Sequence, residues 1–399
     1  MARLVTPMTL PSGERVLEAL PVLARALDGT GPALLPLDES DPRGSGIARR
    51  LAAGTPLAAG EDDDADPTAL VIATSGSTGQ PKGVLLSAGQ LAASAAATEE
   101  RLGGPGHWLL TLPAHHIAGM QVLLRAARSG TVPEVMPADS PFTAAGFVAA
   151  ARALPGPRRY VSLVPTQLAR IVADPLAATA TAAIFDAILV GGAATPARLL
   201  DTARSAGLPV ITTYGMSETC GGCVYDGVPL DGVAASLNNA GAIVLSGPMV
   251  ARGYRGRPGD AAFATPGSFV TSDSGEMRSD GTLLVLGRLD DVIVSGGVKV
   301  PPADVEAAIR ALPGIADALV VGVPDPQWGQ AVAALVLPDR AAGAASWTLD
   351  ALRHALAIAG TLPRTHLPRR LLLVREIPLL ASGKPDRRRA ASILAASGA

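Results

Sequence analysis

An apolar run of five residues, Ala69-Leu70-Val71-Ile72-Ala73, empties directly into Thr74-Ser75-Gly76-Ser77-Thr78-Gly79-Gln80-Pro81-Lys82-Gly83, and few folds accommodate that junction. So short and continuous a run reads as a buried strand of a parallel sheet. The glycines after it let successive N–H groups converge on an anion. The hydroxyls can donate to phosphate oxygens, and Lys82 adds a mobile cation. The Gly-x-x-Gly-x-x-Lys spacing is not that of a Walker A loop. Beyond it, Ser87 with Gln90 three residues later reads as a capping box opening a helix through about Arg101. The junction therefore reads as strand, polyphosphate loop and helix.

The alternation recurs downstream. Tyr160 to Val164 reads as strand, Thr166 to Val172 as helix, and Ile188 to Val190 as strand. Thr195 and Pro196 read as N-cap and first-turn proline of a helix stopping near Gly207, with a strand over Pro209 to Thr213. That order implies a parallel sheet covered by helices. From Asn238 to Leu286, short strands and glycine-rich turns suggest a β-rich subdomain. After about Asp290 the chain restarts as a compact α+β pattern. Pro302 to Leu312 reads there as helix, with strands over Ala318 to Val323, Ala331 to Leu337 and Arg370 to Val374; Thr348 and Asp386 cap two more helices. The expected class is α/β. A large domain over 1–289 carries parallel sheets and the β-rich part, and a small α+β domain spans 290–399.

Composition excludes other classes. Apolar residues make up 48% of the 399 and charged residues 17%, so two or three domains with a large core are expected rather than disorder. A net charge of −2 with dispersed Lys and Arg gives no nucleic-acid footprint. The acidic stretch Gly60 to Pro67 reads as a solvated loop. Cys220 and Cys223 read as two buried thiols, since a lone C-x-x-C cannot complete a structural zinc site. No apolar run has membrane-spanning length, and the N-terminus shows no secretory pattern, so a cytoplasmic protein without membrane insertion is expected.

Five motifs together resemble the adenylate-forming superfamily of acyl- and aryl-CoA ligases, luciferases and adenylation domains. The first is the Thr74–Gly83 segment, in which Thr74, Ser75, Gly76, Ser77, Thr78, Gly79 and Lys82 would hold ATP phosphates. The second is Tyr214-Gly215-Met216-Ser217-Glu218-Thr219, at the end of an expected strand where open α/β sheets bind ligands. The resemblance implies that Tyr214 lies against adenine, with Gly191, Gly192 and Ala193 on its other face. It gives Ser217 the α-phosphate and Glu218 a Mg²⁺ ion. The third, Thr271-Ser272-Asp273-Ser274-Gly275, makes Asp273 the ribose-binding carboxylate. The fourth, Gly287-Arg288-Leu289-Asp290, gives Arg288 a ribose or phosphate contact and makes Asp290 the hinge. Gly296 and Gly297 would admit the pantetheine arm of coenzyme A. The fifth, Ser382-Gly383-Lys384-Pro385-Asp386-Arg387, supplies Lys384 as the catalytic lysine.

Leu112 to Gly119 fits the family's gate segment, with His116 lining the acid pocket and gating its tunnel, and His115 a packing or surface residue. Ser162, Gly215, Met216 and Thr219 would complete the acid pocket. The runs Tyr214–Val233, Arg101–Trp108 and Arg159–Val164 resemble actinobacterial o-succinylbenzoate–CoA ligases of menaquinone biosynthesis, as does the short segment ahead of Thr74. The resemblance implies ATP, Mg²⁺, coenzyme A and an aromatic carboxylic acid. The alternatives are another aryl- or acyl-CoA ligase and a stand-alone adenylation domain loading a carrier protein. Oligomeric state stays open, a homodimer included.

Overall fold

Thr68–Ser75 forms the expected strand in the computed structural model, which describes residues 3–75, 81–137, 141–339, 347–380 and 385–397. Ala69, Leu70, Val71 and Ile72 are sealed from solvent. On one edge the strand pairs in parallel with Ala33–Asp38, which in turn runs parallel to Val5–Leu10. On the other edge it pairs antiparallel with Pro81–Ser87, which continues to Gly253–Tyr254. This corrects the strand–loop–helix reading. The phosphate-loop motif is the connection of a hairpin, and Lys82 and Gly83 stand on its returning strand. Val84, Leu85 and Leu86 drive the return, because they bury completely and cover the apolar strand beside them. Only then does the helix Ala88–Arg101 begin, on the expected capping box: Gln90 N donates to Ser87 Oγ at 3.1 Å, and Ser87 N to Gln90 Oε1 at 2.9 Å.

A second sheet of seven strands carries the alternating part of the chain. Its order is Val228–Pro229, Gly221–Tyr225, Val210–Met216, Ala187–Val190, Arg159–Leu163, His107–Leu110, Glu134–Val135. The five strands from Val210–Met216 to Glu134–Val135 are parallel, and the two at the other edge turn back antiparallel. Helices Pro165–Val172, Pro175–Ile184 and Ala197–Ser205 belong to the crossovers. The last starts later than expected: Pro196 occupies its N-cap with no side-chain cap, so Thr195 is not the capping residue. A third sheet of four strands orders Ala234–Leu237, Ala242–Ser246, Ser268–Met277 and Leu283–Arg288, the expected β-rich region.

The chain divides into two compact units. One comprises 1–238, 243–271 and 277–283; the other 239–242, 272–276 and 284–399. In the second, Val298–Val300, Ile293–Ser295, Gly329–Pro338 and Ile315–Asp325 form an antiparallel sheet, joined in parallel by Arg370–Leu373. The long strands alternate strictly. Val320, Val332, Ala334 and Val336 bury against helices Pro302–Arg310 and Leu349–Ala359, while Leu319, Val321, Ala333 and Leu335 bury against Arg387–Ser397. Thr348 caps the middle helix as expected, and Asp386 accepts from Arg389 N at 2.9 Å.

The acidic stretch Gly60–Pro67 is a solvated loop only in part: Gly60, Asp63, Asp64 and Ala65 are exposed as expected, but the other carboxylates are engaged. Glu61 is buried and pairs with the Arg255 guanidinium, while also accepting from Ala58 N and Gly256 N. Asp62 accepts from Thr68 N and faces Arg3 at 3.4 Å; Asp66 accepts from Gly89 N. These carboxylates strap the edge of the first sheet. Among the described residues, no helix is long and apolar enough to cross a membrane.

Candidate active site

The strand Val210–Met216 ends in a single 3-10 turn, Ser217–Thr219, and Cys220 then takes a left-handed φ of 53° to send the chain back antiparallel. Non-glycine residues reach that conformation only when their surroundings enforce it. The enforcement is visible. Thr219, fully buried, accepts from Met216 N at 3.0 Å and donates to Gly221 O at 2.8 Å. Gln121 Nε2 and Ser94 Oγ both donate to Cys220 O, at 2.6 and 3.2 Å. The returning strand runs so close that a Cβ on Gly215 would lie 2.1 Å from Gly221 O. Thr219 thus shapes the turn from inside, whereas Tyr214, Gly215 and Met216 stay half-exposed on the strand and Ser217 is buried.

Glu218 projects from this turn, half-buried. Its Oε1 accepts from the Tyr254 hydroxyl at 2.7 Å, and its backbone carbonyl from Ala251 N at 2.8 Å. Burial, reinforced by the Glu218 carboxylate, pushes the Tyr254 phenol well above its ordinary value, so the proton stays on tyrosine. Lys82 Nζ sits over the face of the same ring, 4.3 Å from its centroid. Such a contact is worth about 0.5–2 kcal/mol, depending on desolvation. Tyr254 therefore joins a residue of the phosphate-loop motif to the candidate metal carboxylate. Sequence reasoning missed both Tyr254 and Gln121. The one signal for Tyr254 was scarcity, since the chain has only four tyrosines, and a phenol here must find a partner when buried.

Around this centre, Thr74 pairs with Lys82 in the hairpin and Ser75 with Pro81; Gly76, Ser77, Thr78 and Gly79 lie outside the described residues. The adjacent strand Ala187–Val190 runs out into Gly191, exposed Gly192 and Ala193. A Cβ on Gly191 would fall 2.3 Å from Thr213 Oγ1, so only glycine lets these strand ends lie together. Ser162 sits half-buried one strand further, its carbonyl accepting from Thr111 Oγ1 at 2.6 Å. His116 occupies the N-cap position of the buried helix Ile117–Ser129, its ring 4.2 Å from that of His115. Burial lowers the His115 imidazole below its ordinary value despite Asp38 and Asp41 nearby. Because Gln121 lies on the same helix, one rigid element ties the His116 segment to the Cys220 turn.

In the second unit, Arg288 binds Asp290 through two 2.7 Å hydrogen bonds and approaches Asp273 Oδ1 at 3.5 Å. The structure thus assembles the expected ribose and hinge residues around one guanidinium, whose proton Asp290 holds still more firmly. Gly296 and Gly297 form an exposed turn in which Gly296 N donates to Trp328 O at 2.9 Å. Lys384 lies outside the described residues.

The donor set discriminates among metals. Among the described residues, no group of three or more His, Cys, Asp or Glu is arranged to hold an ion, so an all-protein zinc or calcium cage has no support. A single carboxylate held by a hydrogen bond fits Mg²⁺, which keeps waters and takes its other oxygens from phosphates. Cys220 and Cys223 are free, buried thiols, and burial pushes Cys223 up to about 12.

Residues 16–255 match the AMP-binding enzyme family, and 304–384 match the AMP-binding enzyme C-terminal domain. A Mycobacterium tuberculosis protein named "Probable 2-succinylbenzoate--CoA ligase" is 44% identical over 381 residues, covering 95% of each chain. A Geobacillus kaustophilus 2-succinylbenzoate–CoA ligase is 34% identical, covering 91% of this chain and 78% of its own. The fold matches ATP-bound MatB from Rhodopseudomonas palustris at a TM-score of 0.79 and 24% identity, over 98% of this chain and 89% of that one. It also matches Bacillus subtilis o-succinylbenzoate CoA synthetase (MenE), solved with the acyl-adenylate intermediate OSB-AMP, at 0.74 and 23%, over 98% and 88%. The chain belongs to the AMP-binding enzyme family, with the family's large N-terminal and small C-terminal domains.

Proposed function

We propose that this AMP-forming acid–thiol ligase joins 2-succinylbenzoate to coenzyme A, in two half-reactions. In the first, a substrate carboxylate oxygen attacks the α-phosphorus of ATP, and the bond to the bridging oxygen breaks to release pyrophosphate. In the second, the coenzyme A thiol attacks the acyl carbon, forming the thioester and releasing AMP. One observation supports the choice of acid: the relatives named for this activity match nearly the whole chain.

Within that scheme Tyr214 stacks against adenine between the strand ends, beside Gly192 and Ala193. Asp273 and Arg288 take the ribose, and Ser217 the α-phosphate. Thr74, Ser75 and the loop through Gly79 hold the β- and γ-phosphates with Lys82. Glu218 would hold Mg²⁺, which when bound offsets charge on the phosphate oxygens. His116, Ser162, Gly215 and Met216 line the acid pocket, with Thr219 supporting it from beneath. Lys384 offsets charge developing between carboxylate and α-phosphate during adenylation. Rotation about Asp290 then withdraws Lys384 and brings the Gly296–Gly297 turn to the thiol. The product feeds menaquinone biosynthesis in the cytoplasm. Pyrophosphate exchange across a panel of carboxylic acids tests the reading: exchange should be fastest with 2-succinylbenzoate, and silence with that acid alone overturns it. Transfer to a phosphopantetheinyl carrier protein in place of coenzyme A would favour an adenylation domain.

A further inference from the structure

We infer that Tyr254 is a positioning residue that fixes the spacing between the metal carboxylate Glu218 and the pyrophosphate-gripping Lys82. The inference rests on the roles given to those two residues above. Three observations carry it. The phenol donates its one proton to Glu218 Oε1 at 2.7 Å, which restrains a side chain that otherwise has three free torsions and directs its second oxygen. The ring face carries the Lys82 ammonium at 4.3 Å, so one rigid group touches both charges. The ring itself is immobilised: it is 4% exposed, stands edge-on to Phe263 at 5.1 Å, and belongs to the short strand Gly253–Tyr254 paired with the Lys82 strand at Val84. Positions 82 and 84 share one face of that strand, which is why Lys82 reaches the ring beside it. Phenylalanine would preserve the platform and lose only the hydrogen bond; leucine would lose both. Partners that orient a metal ligand typically account for 10–100-fold in metal affinity.

The test measures Mn²⁺ affinity, by electron paramagnetic resonance, for the full-length protein saturated with α,β-methylene-ATP. Metal-free binding of the same analogue is followed in parallel. Tyr254→Phe should weaken Mn²⁺ binding about 10-fold, leave metal-free nucleotide binding in place, and raise the Mg²⁺ concentration for half-maximal pyrophosphate exchange by a similar factor. Tyr254→Leu should weaken metal-free nucleotide binding as well, and that extra loss should vanish in a Lys82→Met background. Wild-type Mn²⁺ affinity in Tyr254→Phe overturns the inference. Should that variant fail to fold, Phe263→Leu, which loosens the ring's edge contact together with the Phe263–Phe269 contact, must weaken Mn²⁺ binding in the same direction; no loss there overturns it equally. Absence of pyrophosphate exchange by the wild-type protein with every acid would instead defeat the functional reading, and the two failures are read in separate assays.

Discussion

The Glu61–Arg255 and Arg288–Asp290 pairs are both carboxylate–guanidinium bridges, yet they make opposite uses of the same chemistry. Glu61 and Arg255 stand 194 positions apart, and their side chains keep only 6% and 8% of their exposure. Arg288 and Asp290 stand two positions apart, with 45% and 33%. A buried pair whose neighbours satisfy its remaining oxygens cannot open without stranding a charge in a poorly solvated place. An exposed local pair opens into water at little cost. The first arrangement suits a strap that must hold the hairpin sheet, and the second suits the hinge proposed for Asp290.

Removing one member of the strap is the severest way to break this contrast. Glu61→Ala should destabilise the large unit by about 3–5 kcal/mol, because Arg255 is left buried and unpaired. Urea denaturation followed by tryptophan fluorescence reads it; a loss below about 1 kcal/mol would place the strap among ordinary surface pairs. Lys384→Ala should come next, at about 10²–10³ in the adenylation rate with unaltered urea midpoint. Thioesterification of a supplied acyl adenylate should be spared. Equal loss in both half-reactions would remove Lys384 from its proposed role.

The contrast also explains what the sequence disclosed. Features encoded within a few residues were legible: the capping boxes and caps at Ser87, Thr348 and Asp386, and the period of the parallel sheet and small unit. Arg288 and Asp290 were legible because their partnership is local and carries a motif. The strap was not, because nothing near Glu61 announces an arginine at 255, and five carboxylates in eight residues look like a solvated face. The hairpin was missed for a related reason: Pro81–Ser87 is a strand only because Thr68–Ser75 and Tyr254 pair with it from either side. Tyr254 and Gln121 matter through contacts to Glu218 and Cys220, which no local pattern encodes.

Acidification should act differently on the two carboxylates Glu61 and Asp291. Burial alone would raise the Glu61 carboxyl, but bonds from Ala58 N and Gly256 N and the Arg255 charge outweigh it, and its value falls below 4.5. A depressed carboxylate contributes stability that is full above the unfolded-state value and is lost as pH falls through the folded one. Asp291 is the reverse: burial raises it above 3.8 despite Arg387 at 2.9 Å, so its contribution is present at low pH and lost as pH rises. Glu61→Gln should therefore flatten the acid limb of the large unit's stability curve, and Asp291→Asn should not. Equal acid limbs in wild type and Glu61→Gln would refute the assignment.

Arg288→Gln should have the smallest effect on stability and is the sharpest test of the contrast. With both partners exposed, its loss should cost no more than about 1 kcal/mol. Asp290 would nevertheless lose its bidentate partner and Asp273 a neighbouring cation at 3.5 Å. The expected signature is a melting temperature near that of the wild type, a raised KM for ATP, and a changed ratio of adenylation to thioesterification rates. A carboxylate freed from a guanidinium two residues away alters how readily its own segment turns. If Arg288→Gln instead melts the protein as Glu61→Ala should, the exposed pair is a strap as well, and hinge motion must be assigned to another segment. If it moves KM alone and leaves the ratio of half-reactions untouched, Arg288 serves only the nucleotide, and the proposed turn about Asp290 does not depend on it.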